Sequence, residues 1–185
     1  MKTLDLDRTL IILKPHAVAR GLTGCILARF ESMGLAITDI KTVRETKEFW
    51  DGFYPSDEQW MNNVGSKTLD SCRDLGIDVE KELGTNEASK IGRMVKGWLA
   101  DHMSSGPCIA AILEGNEAAR KVRKACGATL PHVANPGTIR FDFSSDSPAL
   151  ANKEKRPVYN LIHATDPDED GALAKELDYV FRAPR

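Results

Sequence analysis

The chain has 185 residues, a formal net charge of -2 at pH 7 and a hydrophobic share of 42%. This length is sufficient for one substantial core but short for two. The charge gives no general attraction to nucleic acid, so an anionic ligand would need a local group of cations. No apolar run approaches the ~20 residues that cross a bilayer, and residues 1–8 lack the apolar centre of a secretory signal. We therefore expect a cytoplasmic protein with no membrane partner.

The first part of the chain predicts two strands and two helices. A continuous apolar run at residues 9–13 indicates a buried strand. Apolar residues then recur at helical spacing over residues 23–34, and residues 35–43 alternate as a half-buried strand does. A short aromatic-rich helix is expected over residues 45–54, where the following proline ends it.

Residues 56–104 interrupt this alternation with helical patterns alone. A helix start at residues 57–60 and a strong amphipathic pattern over residues 87–103 predict a helical insertion, because about fifty residues bury only a marginal core by themselves. The regular pattern resumes with a buried strand at residues 108–113 and a helix over residues 117–126.

The last part of the chain predicts a long loop, a strand and a closing helix. Residues 128–157 are rich in Pro, Ser, Asn and Asp, and a loop of this length in a compact domain is usually functional. The strand is expected over residues 158–163 and the helix over residues 168–181. The whole order predicts an α+β sandwich with helices over one face of the sheet, in a single domain of residues 1–185.

One histidine lies at the polar edge of an apolar run, within residues 160–166. Histidine is largely neutral and nucleophilic near pH 7, so His163 is a candidate nucleophile; the alternative is a hydrogen-bonded structural histidine. Lys14, Arg123 and Arg140 are side chains that suit phosphate oxygens. Sequence spacing alone leaves open whether these three cations meet at one site or are separate surface charges.

Several motifs in a fixed order sharpen this interpretation: RTLIILKP at 8–15, SGP leading to LEGN at 105–116, PGTIR at 136–140 and NLIHATD at 160–166. Together they resemble the motifs of nucleoside diphosphate kinases over most of the chain. The resemblance implies a ferredoxin-like βαββαβ sandwich with a four-stranded antiparallel sheet. It also implies a helical insertion at about residues 56–90 and an extended loop at about residues 146–156, since neither stretch has a counterpart.

The resemblance also implies an activity, the ping-pong transfer of the γ-phosphoryl group of a nucleoside triphosphate to a nucleoside diphosphate. His163 would become the phosphohistidine, Glu176 would orient its ring, and Thr165 would support that glutamate. The nucleotide and its phosphates would be held by a set of polar side chains: Lys14, Arg93, Arg123, Thr129, Arg140 and Asn160. Tyr54 matches the tyrosine beside the site.

The implied cofactor is Mg²⁺, bound mainly through the nucleotide phosphates rather than by a metal site of the protein. The implied partners are nucleoside di- and triphosphates with broad base tolerance, and further copies of the chain in a hexamer or another assembly of dimers. No specific nucleic acid is implied.

Some residues depart from the family pattern. The usual Asp-Gly after Lys-Pro is His16-Ala17 here, and Val95 occupies the position of the base-stacking phenylalanine, with Trp98 nearby. A catalytically weak nucleotide-binding regulatory protein of the same fold is therefore the alternative function. A ferredoxin-like RNA binder would need exposed aromatic residues on adjacent strands, and the predicted first and third strands carry none.

Overall fold

The computed structural model describes residues 7–181, and its centre is one antiparallel sheet of four strands. The prediction that the chain has no secretory signal concerned residues 1–8, and residues 1–6 of these lie outside the described residues. The strands follow the spatial order β2-β3-β1-β4. They are β1 Asp7–Leu13, β2 Ala36–Val43, β3 Cys108–Gly115 and β4 Ile162–Ala164. The predicted ferredoxin-like sandwich is confirmed.

Helices fill the connections between these strands. They are α1 Pro15–Ala19, α2 Thr23–Ser32, α3 Lys47–Phe53, α4 Glu58–Asp74, α5 Val79–Leu83, α6 Ala88–Ser104, α7 Ala118–Cys126, α8 Ile139–Phe143, α9 Pro148–Lys153 and α10 Ala172–Phe181. Thr46, Asp57 and Asp78 begin three of them by accepting a hydrogen bond from a backbone N–H three residues later. Within residues 7–181, no helix is long and apolar enough to span a membrane.

The helices cover both faces of the sheet, so the prediction of one covered face is wrong. Ile11 and Leu13 of β1 belong to a buried cluster with α2 and α7. Leu10 and Ile12 point the other way, into a second cluster that contains Trp50 of α3 together with residues of α6 and α10. The continuous apolar run of β1 is the physical reason, because successive side chains of a strand point to opposite faces and here both are buried.

The predicted loop over residues 128–157 contains more structure than its composition indicates. A 3₁₀ turn at Pro131–Val133 is followed by α8 and α9. The start of α9 has a recognisable signal, since Ser147 caps it and Pro148 occupies its first position. In a stretch rich in turn-forming residues, such a short helix was not separable from a loop.

Helices α4 and α6 pack against each other at unusually close range through two glycines. A Cβ atom added at Gly65 of α4 would overlap the backbone of Ala88, and one added at Gly92 of α6 would overlap the backbone of Met61. In both places the overlapping atoms belong to the backbone, so a side chain added at either glycine could be accommodated only if a helix moved. The two helices therefore pack with their backbones in direct contact.

Gly65→Ala should lower the free energy of unfolding by about 1–3 kcal/mol, because the added methyl group forces the two helices apart. Gly97→Ala in α6 is the matched control: a Cβ there meets nothing within 4 Å, so its gain in helix propensity should raise stability by up to about 1 kcal/mol. Denaturant titrations measure both changes, and equal stabilities of the two variants would contradict the close contact.

Candidate active site

Leu161, the residue immediately before the strand that carries His163, has a left-handed backbone conformation with a φ of 70°. Regular alternation would place residues 161 and 163 on one face of the sheet. Instead Leu161 joins Ile162 and Ala164 in the same buried cluster. The observed strand therefore begins at Ile162 rather than near residue 158, which corrects the predicted strand boundary. No sequence signal marks this irregularity, because leucine strongly disfavours the left-handed region.

Every backbone polar group around this turn has a partner. Arg140 lies beneath it with 5% exposure and donates from Nε to the Asn160 carbonyl at 3.2 Å and from Nη2 to the Ile162 carbonyl at 2.8 Å. The backbone N–H of Lys14 donates to the Leu161 carbonyl at 2.9 Å. Two segments distant from each other in sequence, at residues 14 and 140, thus fix the backbone that leads to His163.

His163 is oriented by a glutamate from α10 and a threonine from the end of β4. Its Nε2 lies 2.9 Å from Oε1 of Glu176, and the Thr165 hydroxyl donates to Oε2 of the same carboxylate at 2.5 Å. The side chains of His163 and Glu176 are 24% and 17% exposed, so bulk water screens the pair only weakly.

The charge of Glu176 decides which ring nitrogen of His163 carries the proton. Burial favours the neutral acid, but the hydrogen bonds from His163 and Thr165 and the nearby Arg123 outweigh it, so the pKa of Glu176 lies below its ordinary value. An ionised carboxylate only accepts hydrogen bonds, so Nε2 must be the donor. Nδ1 then keeps an unprotonated lone pair, and no described residue donates to it.

Lys14 and Asn160 form a second hydrogen-bonded group beside the histidine. The Lys14 ammonium donates to Oδ1 of Asn160 at 2.8 Å, and Nδ2 of Asn160 donates to the Thr129 carbonyl at 3.0 Å. Burial, together with the positive charge of Arg140, lowers the pKa of Lys14 to about 7. This lysine is therefore easily deprotonated near neutral pH, and an anion beside it would favour its charged form.

Arg123, from the last turn of α7, reaches the same region. Its Nη1 donates to the Ala164 carbonyl at 3.3 Å, and its Nη2 pairs with the Asp166 carboxylate at 3.1 Å. The side chain is 38% exposed, so the remaining N–H groups are accessible to a ligand.

Most of the predicted site residues line a single cleft of about 420 Å³. They are Lys14, Tyr54, Arg123, Thr129, Arg140, Asn160 and His163. The hydroxyl oxygen of Tyr54 is buried and has no hydrogen-bond partner among the described residues, and burial raises the pKa of Tyr54 above its ordinary value. This hydroxyl therefore stays protonated and able to donate. The opposite wall of the cleft comes from α4 and α6.

Arg93 is the exception among the predicted phosphate ligands, because the structure does not bring it into the cleft. Its Nη2 donates to both carboxylate oxygens of Glu58, at 3.0 and 3.2 Å. Successive helical residues are rotated by about 100°, which puts Arg93 on the opposite side of α6 from the cleft residues Val95, Trp98 and Leu99. The residue count back from the SGP motif predicted the position of Arg93 along α6. It did not predict which side of the helix faces the cleft.

The sequence alone did not identify a histidine pair beneath the turn. His16 Nδ1 lies 2.7 Å from His102 Nε2, and His16 Nε2 accepts from the backbone N–H of Leu161 at 2.9 Å. Burial, the neighbouring His102 and nearby cations lower the pKa of His16 to about 3. Burial and the charges of Lys14 and Arg156 lower the pKa of His102 to about 4. Only the position of His16 directly after Lys-Pro could have suggested a role.

The fold and this site define an α+β protein that presents an oriented histidine beside a cationic cleft. The sequence model of the family described as nucleoside diphosphate kinase matches residues 7–62 and 88–185. A nucleoside diphosphate kinase of Pyrobaculum aerophilum is 45% identical over 179 residues, which cover 97% of both chains.

Two solved structures agree with this similarity. A crystal structure of an NDP kinase from Pyrobaculum aerophilum superposes with a TM-score of 0.88 at 44% identity and covers 94% of each chain. A transition-state mimic of nucleoside-diphosphate kinase from Borrelia burgdorferi with bound vanadate and ADP superposes with a TM-score of 0.67 at 28% identity. That match covers 99% of this chain and 95% of the other. The chain belongs to the nucleoside diphosphate kinase family.

The stability of the protein should decrease as the pH falls through the acid range. His16 and His102 bind fewer protons in the folded state than in the unfolded state, where their pKa is 6.5. The free energy of unfolding is therefore not reduced by these histidines above about pH 6.5, and it falls as the pH decreases from there toward 3–4. At about pH 5 the expected loss is about 2 kcal/mol for each histidine.

Chemical denaturation at neutral and acid pH measures this loss. His16→Gln should reduce it, because the variant lacks one titrating group. The exposed His132 provides the matched control, and His132→Gln should show the same acid dependence as the wild type. An acid dependence unchanged in His16→Gln would contradict the buried neutral state of His16.

Proposed function

We propose that the protein is a nucleoside diphosphate kinase that carries the γ-phosphoryl group from a nucleoside triphosphate to a nucleoside diphosphate on His163. The observation that supports this most directly is the state of the histidine. Glu176 accepts a hydrogen bond from Nε2–H, so Nδ1 has a free lone pair, and the same cleft is lined by Lys14, Arg123 and Arg140. A nucleophilic nitrogen beside three cations suits attack on a phosphoryl group.

In the first half-reaction the lone pair of His163 Nδ1 attacks the γ-phosphorus. The N–P bond forms while the bond from phosphorus to the bridging oxygen breaks, and the nucleoside diphosphate leaves with that electron pair. The ring becomes positively charged, and the Glu176 carboxylate on Nε2–H stabilises this charge. In the second half-reaction a terminal oxygen of another diphosphate attacks the same phosphorus, and the N–P electrons return to the ring. One site thus serves both nucleotides in turn.

Three cations would hold the phosphates during both half-reactions. Arg140 uses three of its N–H groups on backbone carbonyls and keeps two, while Arg123 uses two and keeps three. Lys14 would supply a compact point charge, and its partner Asn160 would bond the ribose and the phosphate bridge. Thr129 and Tyr54 would add hydroxyl donors at the edge of the cleft. Because the transition state is loose, alignment and charge stabilisation account for most of the catalysis.

We propose that the nucleotides bind as their Mg²⁺ complexes. Within residues 7–181 there is no group of three or more His, Cys, Asp or Glu side chains placed to hold a metal ion. The cations around His163 suit phosphate oxygens, so the phosphates would hold the ion themselves. When bound there, Mg²⁺ offsets the negative charge of the transferring group.

We propose that residues 1–185 form one domain, with an insertion at about residues 56–90 and an extended loop at about residues 146–156. The family model leaves residues 63–87 unmatched. The two segments pack on each other, since Nδ2 of Asn152 in α9 donates to the Cys72 sulfur of α4 at 3.2 Å. Both also line the cleft, so they would form the wall that faces the nucleoside.

The residues of that wall support broad base tolerance. Val64 of α4 and Val95 and Trp98 of α6 present apolar or aromatic surface to the cleft. Such surface contacts any base through its flat face and does not require a particular hydrogen-bonding edge. The contacts that fix the nucleotide would then lie on its phosphates and sugar.

We propose that the protein acts in the cytoplasm as a homo-oligomer, as a hexamer or another assembly of dimers. Strand β2 lies at the edge of the sheet, and its Ile40 is 49% exposed. An unpaired strand edge with an exposed apolar side chain is a natural surface for a second copy of the chain.

Incubation with γ-labelled ATP should place acid-labile phosphate on the wild-type protein, and His163→Ala should remove it completely. Glu176→Gln should slow labelling by about a hundredfold, because it replaces a charged partner of the developing imidazolium by a neutral one. His132→Ala changes an exposed histidine and should label normally. Label that persists in His163→Ala would refute the assignment of the nucleophile.

Nucleotide binding should take up protons at mildly alkaline pH. Lys14, with a pKa of about 7 in the empty site, is mostly neutral at about pH 8, and bound phosphate favours its charged form. Calorimetry of Mg²⁺–ADP binding, in buffers of different ionisation enthalpy, should show uptake of up to about one proton per site.

Lys14→Met should abolish this uptake. Lys96 provides the matched control, because it is also buried but is held by Asp51 and Ser56 and does not line the cleft. Lys96→Met should leave proton uptake as in the wild type. Uptake that survives in Lys14→Met would show that another group titrates.

A further inference from the structure

The backbone N–H of Leu161 is held by a side chain that lies outside the proposed catalytic set. Leucine at a φ of 70° is unfavourable by about 1–2 kcal/mol relative to a right-handed conformation. Residues in such conformations persist when their surroundings fix them, and they concentrate at functional sites. The Ile162 N–H donates to the Asn160 carbonyl at 2.8 Å and closes the turn around Leu161. Arg140 and the Lys14 N–H donate to carbonyls of the same turn, and the Leu161 N–H donates to Nε2 of His16 at 2.9 Å.

The His16 ring is itself fixed in orientation and in tautomer. Because Nε2 accepts a hydrogen bond, the proton of the neutral ring is on Nδ1, which donates to Nε2 of His102 at 2.7 Å. The Tyr159 ring stacks on His16 with the ring centroids 4.6 Å apart, and it lies 4.7 Å from the His102 ring. The acceptor is therefore held in one place before any nucleotide binds.

The turn at Leu161 sets the relation between two side chains of the site. Asn160 precedes it and holds the Lys14 ammonium, while His163 follows it on the regular strand. If Leu161 relaxed to ordinary strand geometry, alternation would move Asn160 and His163 to opposite faces of the sheet. The hydrogen bond at Leu161 therefore acts on both residues.

We propose that His16 is a positioning residue for phosphoryl transfer: together with the hydrogen bond from Ile162 N–H to the Asn160 carbonyl, it holds Leu161 at a positive φ and so keeps Asn160 and His163 on one cleft. This inference rests on the proposed function. It makes His16-Ala17, where the family usually has Asp-Gly, part of the active-site architecture rather than a surface variation. His16 does not touch the reacting atoms and acts through the backbone alone.

A matched pair of variants tests which ring nitrogen matters. The amide oxygen of His16→Gln lies near the position of Nε2 and can accept from Leu161, whereas the oxygen of His16→Asn lies near that of Nδ1 and cannot reach it. His16→Phe keeps a ring against Tyr159 but has no acceptor. With saturating Mg²⁺–ATP, formation of phosphohistidine should be about ten- to a hundredfold slower in the Asn and Phe variants. The Gln variant should stay near the wild-type rate.

Two structural readouts accompany the rates. Amide hydrogen exchange at Leu161 should be protected in the wild type and in His16→Gln and should accelerate in His16→Phe. NMR of the imidazole nitrogens should place the proton of His16 on Nδ1 at neutral pH. A chain that is merely destabilised would show a lower denaturation midpoint without this pattern of rescue.

The proposal would be overturned by wild-type rates in His16→Asn and His16→Phe, or by unchanged exchange at Leu161 in His16→Phe. A wild-type protein that forms no phosphohistidine would refute the proposed function itself. In that case the exchange at Leu161 would still decide whether His16 holds this backbone.

Discussion

The structure of the site depends on one constraint, a left-handed leucine immediately before the strand that carries His163. That conformation is unfavourable by itself, so it exists because the surrounding chain supplies a partner for each backbone group. Arg140 donates to the carbonyls of Asn160 and Ile162, and the Lys14 N–H donates to that of Leu161. The Ile162 N–H donates to the Asn160 carbonyl, and His16 accepts from the Leu161 N–H. Segments from both ends of the chain meet at this turn, which makes the geometry of the histidine a property of the whole fold.

The cations of the cleft serve the backbone and the proposed ligand at the same time. Arg140 is nearly buried and bonded to carbonyls, so its guanidinium is oriented before a phosphate arrives. Lys14 is also buried, and this burial, together with the positive charge of Arg140, lowers the pKa of Lys14 to about 7. Holding these positive groups close together is electrostatically unfavourable, and a bound anion would offset that repulsion. Because the donors are already oriented, little of the binding free energy is needed to arrange them.

The sequence predicted the sheet, the main helices and the Glu176–Thr165 support of the histidine, because these follow from apolar periodicity and from motifs in a fixed order. It did not predict the conformation of Leu161, since a residue that disfavours a left-handed backbone carries no signal for one. The role of His16 depends on that conformation and was equally hidden. Arg93 was predicted to line the cleft, but its side chain points away from it. A count of residues gives the position along a helix and does not show which face packs against a neighbouring helix.

The glycine contacts between α4 and α6 have a consequence for the catalytic cycle. In the proposed reaction, two different nucleotides would occupy the same cleft in succession, one as donor and the next as acceptor. Gly65 and Gly92 bring α4 and α6 to backbone contact, so a shift of one helix would have to carry the other with it. The two helices would therefore present one continuous wall to the departing diphosphate and to the nucleotide that replaces it.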